Sequence, residues 1–226
     1  MATAPPLKVC SGSMTGRGER GASVKNLIMF DYDGTIVDSL QVFCDACVTV
    51  FRRNGLSQFA TCERALAFLD GNWFEELAAA GVPSQVIDEL EDAFSAFASE
   101  GTPRPFRGMP ELIERLARRN AVVVITSSRS DDVRHVVAEH RLQGISEVLG
   151  ADTATSKLVK IRMARERHGN GLKPWYVGDT VGDIVEAKAA GVGSIGVGWG
   201  WQGAEKLRAA TPDLMAYSPD DLLVLE

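Results

Sequence analysis

The chain has 226 residues, 45% of them apolar and 7% aromatic, with 30 acidic against 24 basic residues and a formal net charge of -6. That length supports one sizeable core plus a smaller module, and the acidic balance argues against a nucleic-acid surface or a polybasic membrane patch. No apolar stretch approaches the roughly 20 residues that a membrane helix needs, so a cytoplasmic protein without nucleic-acid or membrane partners is expected.

Residues 1–24 are rich in Ala, Pro, Ser, Gly and basic residues, with Glu19 the one acid. Lacking an apolar segment of secretory type, they read as a disordered tail; a transit peptide or a true start at Met14 are the alternatives. The apolar run 27–30 then reads as a short buried strand. It ends in Asp31-Tyr32-Asp33-Gly34-Thr35. Where a strand ends and the chain bends, both carboxylates reach one crevice. Two acids there repel each other, so they call for a bound cation and mark a reactive centre.

From Ser39 the pattern turns helical. Leu40, Phe43, Cys44, Cys47, Val50 and Phe51 follow the three-four spacing of an amphipathic helix that stops near Asn54-Gly55. Further helices are expected over 63–69, 73–80 and 84–98, punctuated by Gly71, Gly81-Val82-Pro83 and Gly101-Thr102-Pro103. With no strand among them, residues 40–104 read as a helical cap inserted between 25–39 and 105–226. The remainder alternates strands over 121–125, 147–149, 175–177 and 194–197 with helices over 131–139, 157–167 and 184–190. That alternation predicts an α/β fold with a parallel sheet covered on both faces.

Three later positions bring chemistry to the same crevice. The strand 121–125 ends in the hydroxyls Thr126-Ser127-Ser128, Lys157 opens a helix, and Gly178-Asp179 follows another strand with Asp183 four residues on. That last spacing puts Asp179 and Asp183 within reach of one Mg2+ ion, which takes oxygen ligands. Singly, each has a blander reading as a turn acid, a strand-end hydroxyl, a solvated lysine or a helix N-terminal carboxylate.

In this order, the four motifs resemble those of the haloacid dehalogenase superfamily of phosphatases, over essentially residues 25–226. The likeness extends to phosphoglycolate-phosphatase-like enzymes through Asp-Gly-Thr-x-x-Asp-Ser, the Gly178 to Gly191 segment and Val197-Gly198-Trp199-Gly200. The resemblance implies a Rossmann-like core with a helical cap. It implies Asp31 as nucleophile, Asp33 as acid and base, and Mg2+ held by Asp31, the Asp33 carbonyl, Asp179 and Asp183. It places Gly34, Thr126, Ser127 and Lys157 on the phosphoryl group, and Asn72 and Trp73 of the cap on the substrate. The implied activity is hydrolysis of a small phosphorylated metabolite, of phosphoglycolate or sugar-phosphate type, through an aspartyl phosphate, by a monomer or homodimer. A phosphomutase and a catalytically silent phospho-ligand binder are the alternatives. The acid at Asp33 sets the chain apart from dehalogenating members, and the absence of lysine from 40–104 from phosphonate hydrolases.

The rest of the polar inventory is read as structural. Cys10, Cys44, Cys47 and Cys62 are expected as reduced thiols, and His135, His140 and His168 as surface residues. Trp199 and Trp201 are expected in core packing, with the crevice rim as the alternative, and Arg52, Arg53 and Arg64 on a solvated cap face, with a substrate carboxylate or second phosphate as the alternative contact.

Overall fold

A computed structural model describes residues 25–169 and 171–226; the tail expected over 1–24 lies outside them. In chain order the elements are β1 (Asn26–Phe30), β2 (Val37–Asp38), α1 (Leu40–Arg53), α2 (Cys62–Ala67), α3 (Trp73–Ala79), α4 (Ser84–Glu100), β3 (Arg104–Pro105), α5 (Met109–Ala117), β4 (Ala121–Ile125), α6 (Ser130–Glu139), β5 (Ile145–Leu149), α7 (Lys157–His168), β6 (Lys173–Gly178), α8 (Val181–Ala189), β7 (Gly193–Val197), α9 (Gly203–Ala209) and β8 (Leu214–Ala216). Short 3-10 turns sit at Ser57–Phe59, Phe68–Asp70 and Pro219–Leu225.

Six strands form one parallel sheet in the order β5-β4-β1-β6-β7-β8. β1 lies at its centre, paired with β4 on one side and β6 on the other. The strands are continuous apolar runs because both faces are covered. Alternate side chains divide between the two faces. Ile28, Phe30, Val122, Val124 and Val177 pack with Leu112, Ile113 and Leu116 of α5 and Val133 of α6. Leu27, Met29, Val123, Ile125 and Tyr176 pack with Ile161 of α7 and Ala187 of α8. The chain leaves β1 for β4 on one side and returns to β6 on the other. The crevice beyond the C-terminal ends of these three strands is where ligands bind in such sheets.

The helices α1 to α4 lie between β2 and β3, an antiparallel pair of two residues each (Val37 opposite Pro105, Asp38 opposite Arg104). They enclose a hydrophobic cluster of their own, built on Phe43, Val50, Phe51, Leu77, Val86 and Leu90. Cys44 and Cys62 form a disulfide that ties α1 to the first residue of α2, their Cα atoms 4.8 Å apart. This corrects the reduced-thiol reading for that pair, because α1 and α2 pack together and bring these residues side by side; Cys47 stays free and buried. Among the described residues, no helix is long and apolar enough to cross a membrane.

Candidate active site

Asp31 continues β1 by one residue, its N–H donating to Val177 O at 2.8 Å. Its Oδ1 lies 3.0 Å from Lys157 Nζ. Lys157 stands at the start of α7, where Ser156 caps the helix by accepting from Val159 N–H, and its ammonium also donates to Asp183 Oδ1 at 2.6 Å. Asp183 sits in the first turn of α8 in a capping box with Thr180. Its Oδ2 accepts from the N–H groups of Asp179 (3.1 Å) and Thr180 (3.0 Å) and from the Thr180 hydroxyl (2.8 Å). Asp179, at the end of β6, accepts from Thr35 Oγ1 at 3.0 Å and from Trp201 N–H at 2.7 Å. Gly34 makes this proximity possible: it adopts φ +75, and a Cβ there would collide with the Asp179 carboxylate.

One oxygen from each of Asp31, Asp179 and Asp183 falls within 4.8 Å of the others, and all three side chains are buried. Three carboxylates thus face one ammonium. Burial raises the Asp31 carboxyl well above its usual range, with Asp183 and Asp179 adding to the effect and Lys157 opposing it. Burial and Asp183 push Asp179 up to about 7. Burial alone would lower Lys157, but Asp183 and Asp31 overcome it and hold the ammonium charged. The site is short of positive charge, and its donors are the hard oxygens that Mg2+ selects, so the residues fit that ion.

The Asp33 carboxylate stands outside this cluster. Its Oδ1 accepts from Ser39 Oγ at 2.7 Å and its Oδ2 from Ser128 Oγ at 2.5 Å. Burial raises its carboxyl above the usual range, the two hydroxyls and Lys157 opposing. The turn that presents it closes when Tyr32 O accepts from the N–H groups of Ile36 (2.8 Å) and Val37 (3.1 Å). Thr126 ends β4 with its hydroxyl oxygen accepting from Ser128 N–H at 3.0 Å, which leaves the hydroxyl proton free to point at a ligand. Beneath it the fully buried Lys160 donates to Thr126 O at 2.5 Å, with its own pKa pushed down to about 7 by burial. The N–H groups of Tyr32, Asp33 and Ser127 find no acceptor among the described residues.

The crevice is roofed by α1, α3 and α4. Asp31, Asp33, Thr126, Ser127, Lys157 and Asp183 line its floor, and Trp73 lines its roof. Asn72 is placed differently. Its Oδ1 caps α3, accepting from Phe74 and Glu75 N–H, and its Nδ2 donates to Thr155 O (3.3 Å) and Glu186 Oε1 (3.2 Å). It fastens roof to floor instead of facing the crevice. Gly182 serves the same closure, since a Cβ there would run into the carbonyl oxygens of Leu69 and Gly71. Trp199 packs on the sheet core, but Trp201 reaches the roof cluster, stacks on Phe43 with centroids 4.7 Å apart and lines the crevice. Arg52, Arg53 and Arg64 are exposed.

Sequence reasoning gives no role to Ser39, Ser128, Thr35, Tyr176, Lys160 or Glu186. Several of their partners lie far along the chain, 144 residues for Thr35 and Asp179 and 95 for Ser128 and Asp33, whereas Ser39 is only six residues from Asp33. The hydroxyl run after β4 points to Ser128, and the Asp-Gly-Thr-x-x-Asp-Ser motif contains Thr35 and Ser39 without giving them a role.

A family model described as haloacid dehalogenase-like hydrolase matches residues 28–197. The chain is 28% identical over 220 residues to a phosphoglycolate phosphatase of Vibrio parahaemolyticus, covering 87% of this chain and 94% of that protein. It is 26% identical to a 5'-nucleotidase of Pseudomonas aeruginosa, covering 82% and 88%. A solved hydrolase from Pseudomonas syringae superposes with a TM-score of 0.73 at 16% identity, over 88% of this chain and 97% of that one.

Proposed function

The chain belongs to the haloacid dehalogenase-like hydrolases, and from that premise we propose that it hydrolyses a small phosphate monoester through an aspartyl phosphate on Asp31. The observation that supports this most is the division of the two acids that leave β1. Asp31 lies in the carboxylate cluster with Lys157, whereas Asp33 is held apart by Ser39 and Ser128. Similar acids in different surroundings take different roles.

In the first step an Asp31 carboxylate oxygen attacks phosphorus, and the bond from phosphorus to the ester oxygen breaks. Asp33, kept protonated into a higher pH range by its burial, gives its proton to the departing alkoxide. In the second step Asp33, now ionised, takes a proton from water as that water attacks phosphorus, and Asp31 is released with inorganic phosphate. The Lys157 ammonium, the Thr126 hydroxyl and the N–H groups of Tyr32, Asp33 and Ser127 meet the phosphoryl oxygens as their charge shifts. Asp31, Asp179 and Asp183, with the Asp33 carbonyl, would hold Mg2+. Bound there, it would neutralise the acids and the phosphoryl group so that one anion can approach the other. The helical block 40–104 acts as a cap over the crevice, with Trp73 and Trp201 toward the leaving group.

Phosphate release from a panel of esters tests this. Release should require Mg2+, cease with EDTA and fall at least about a thousandfold in Asp31→Asn. Turnover of Asp31→Asn near the wild-type rate would reject Asp31 as nucleophile.

A further inference from the structure

The roof of the crevice bears on what the phosphate is attached to. Five roof side chains, Phe43, Leu69, Trp73, Leu90 and Phe94, are apolar, and Trp201 joins them from the core. Phe43 meets the Trp73 ring edge-on at 5.4 Å and stacks on Trp201 at 4.7 Å, so the roof is largely an aromatic surface. One charged residue of the cap lines the crevice, and it is an acid, Glu91. Glu91 is half-buried and makes no hydrogen bond or ion pair with any described residue. Burial raises its carboxyl above the usual range, with Asp88 and Asp92 adding and Arg129 opposing.

A substrate carboxylate would need a cation on this side. Lys157 stands beside Asp31 and Asp183 at the phosphoryl end of the crevice. Arg129, the other cation of the lining, holds Asp92 at 2.6 Å and has Glu91 and Asp132 beside it. With the Arg129 charge answered by Asp92, Glu91 is, among the described residues, the one charged group of the cap lining that has no counter-charge bonded to it. A phosphorylated carboxylic acid would bring its second anion against that charge, whereas an ammonium or hydroxyl would find Glu91 unpartnered.

We propose that the substrate is the phosphate monoester of a mainly apolar, aromatic-compatible alcohol bearing a hydrogen-bond donor for Glu91, and that phosphorylated carboxylic acids such as phosphoglycolate are rejected. The inference rests on the phosphatase reading and narrows it. It sets this chain apart from what its phosphoglycolate-phosphatase relatives' names would suggest.

The test is a matched series of phenyl phosphates bearing para-aminoethyl, para-ethyl or para-carboxyethyl groups, with phosphoglycolate alongside, in Mg2+. The aminoethyl ester should exceed the carboxyethyl ester in kcat/KM by at least about tenfold, and phosphoglycolate should be slowest. In Glu91→Gln that ratio should shrink by about the same factor, a comparison within one variant that tolerates a change in its overall rate. Fastest hydrolysis of phosphoglycolate or the carboxyethyl ester, or an unchanged ratio in Glu91→Gln, would overturn the inference. It would leave the phosphatase reading standing, provided that turnover is lost in Asp31→Asn. No turnover of any ester would overturn both.

Discussion

Three buried carboxylates around one lysine make the metal-free site a source of instability that Mg2+ should relieve, to an extent that depends on pH. Asp31 is raised well above its usual range and Asp179 to about 7. For a carboxyl whose folded pKa is raised, the stability it contributes is present below its unfolded value, about 4, and lost as pH rises through the folded value. From Asp179 the metal-free protein should therefore lose stability as pH rises from about 4 to about 7, and Asp31 adds to that loss. Mg2+ must displace the proton on Asp179, so its affinity should weaken roughly tenfold per unit below about pH 7. At a Mg2+ concentration a hundred times the dissociation constant, binding stabilises by about 2.7 kcal/mol. In a domain of this size that raises Tm by about 5–10 °C. One pH unit below 7, at the same concentration, the gain falls to about 1.4 kcal/mol, or about 3–5 °C. Thermal melts at the two pH values, with EDTA or with Mg2+, read this directly. A Mg2+ shift that is equal at both, or larger at the lower pH, would refute the reasoning.

Asp33→Asn should cost about 10²–10⁴ in kcat, most for esters of alcohols that leave poorly and least for activated aryl esters, because the lost function is protonation of the leaving group. An equal loss across leaving groups, measured in a series of graded alcohol pKa, would count against that role. Gly182→Ala would set a methyl group against the carbonyl oxygens of Leu69 and Gly71. The closed cap should lose about 1–3 kcal/mol, seen as a fall in kcat/KM for small esters with little change in Mg2+ affinity. Unaltered kinetics would mean that the cap does not close on this contact.

The parts of the site that lie next to each other in sequence were legible because strand ends announce themselves. The apolar runs before Asp31, Thr126 and Asp179 are the central strands β1, β4 and β6, and their order along the chain carried the family resemblance. The helix α5 is absent from the sequence reading although Met109, Leu112, Ile113 and Leu116 have helical spacing. Pro110 sits in the first turn, where its missing N–H costs nothing, and Gly108 turns the chain into the helix with φ 88. The β2–β3 pair, α9 and β8 are short, and long-range pairing and packing define them more than local pattern does. The same holds within the site. Asn72 reads as a substrate contact from its place after Gly71, yet its side chain is taken up by a helix cap and by Glu186. Ser128 serves Asp33 across 95 residues. Glu91 is one acid among several on α4, and packing alone decides that it lines the crevice.

The central claim is a covalent phosphoryl group on Asp31, and acid-quenched turnover followed by peptide mapping measures it directly. With an activated aryl ester, whose alcohol leaves without needing a proton, and Mg2+, phosphate should appear on the peptide that contains Asp31, accumulate in Asp33→Asn as water activation slows, and be absent from Asp31→Asn. Steady phosphate release with no label on Asp31, or with label on another residue, would contradict the account.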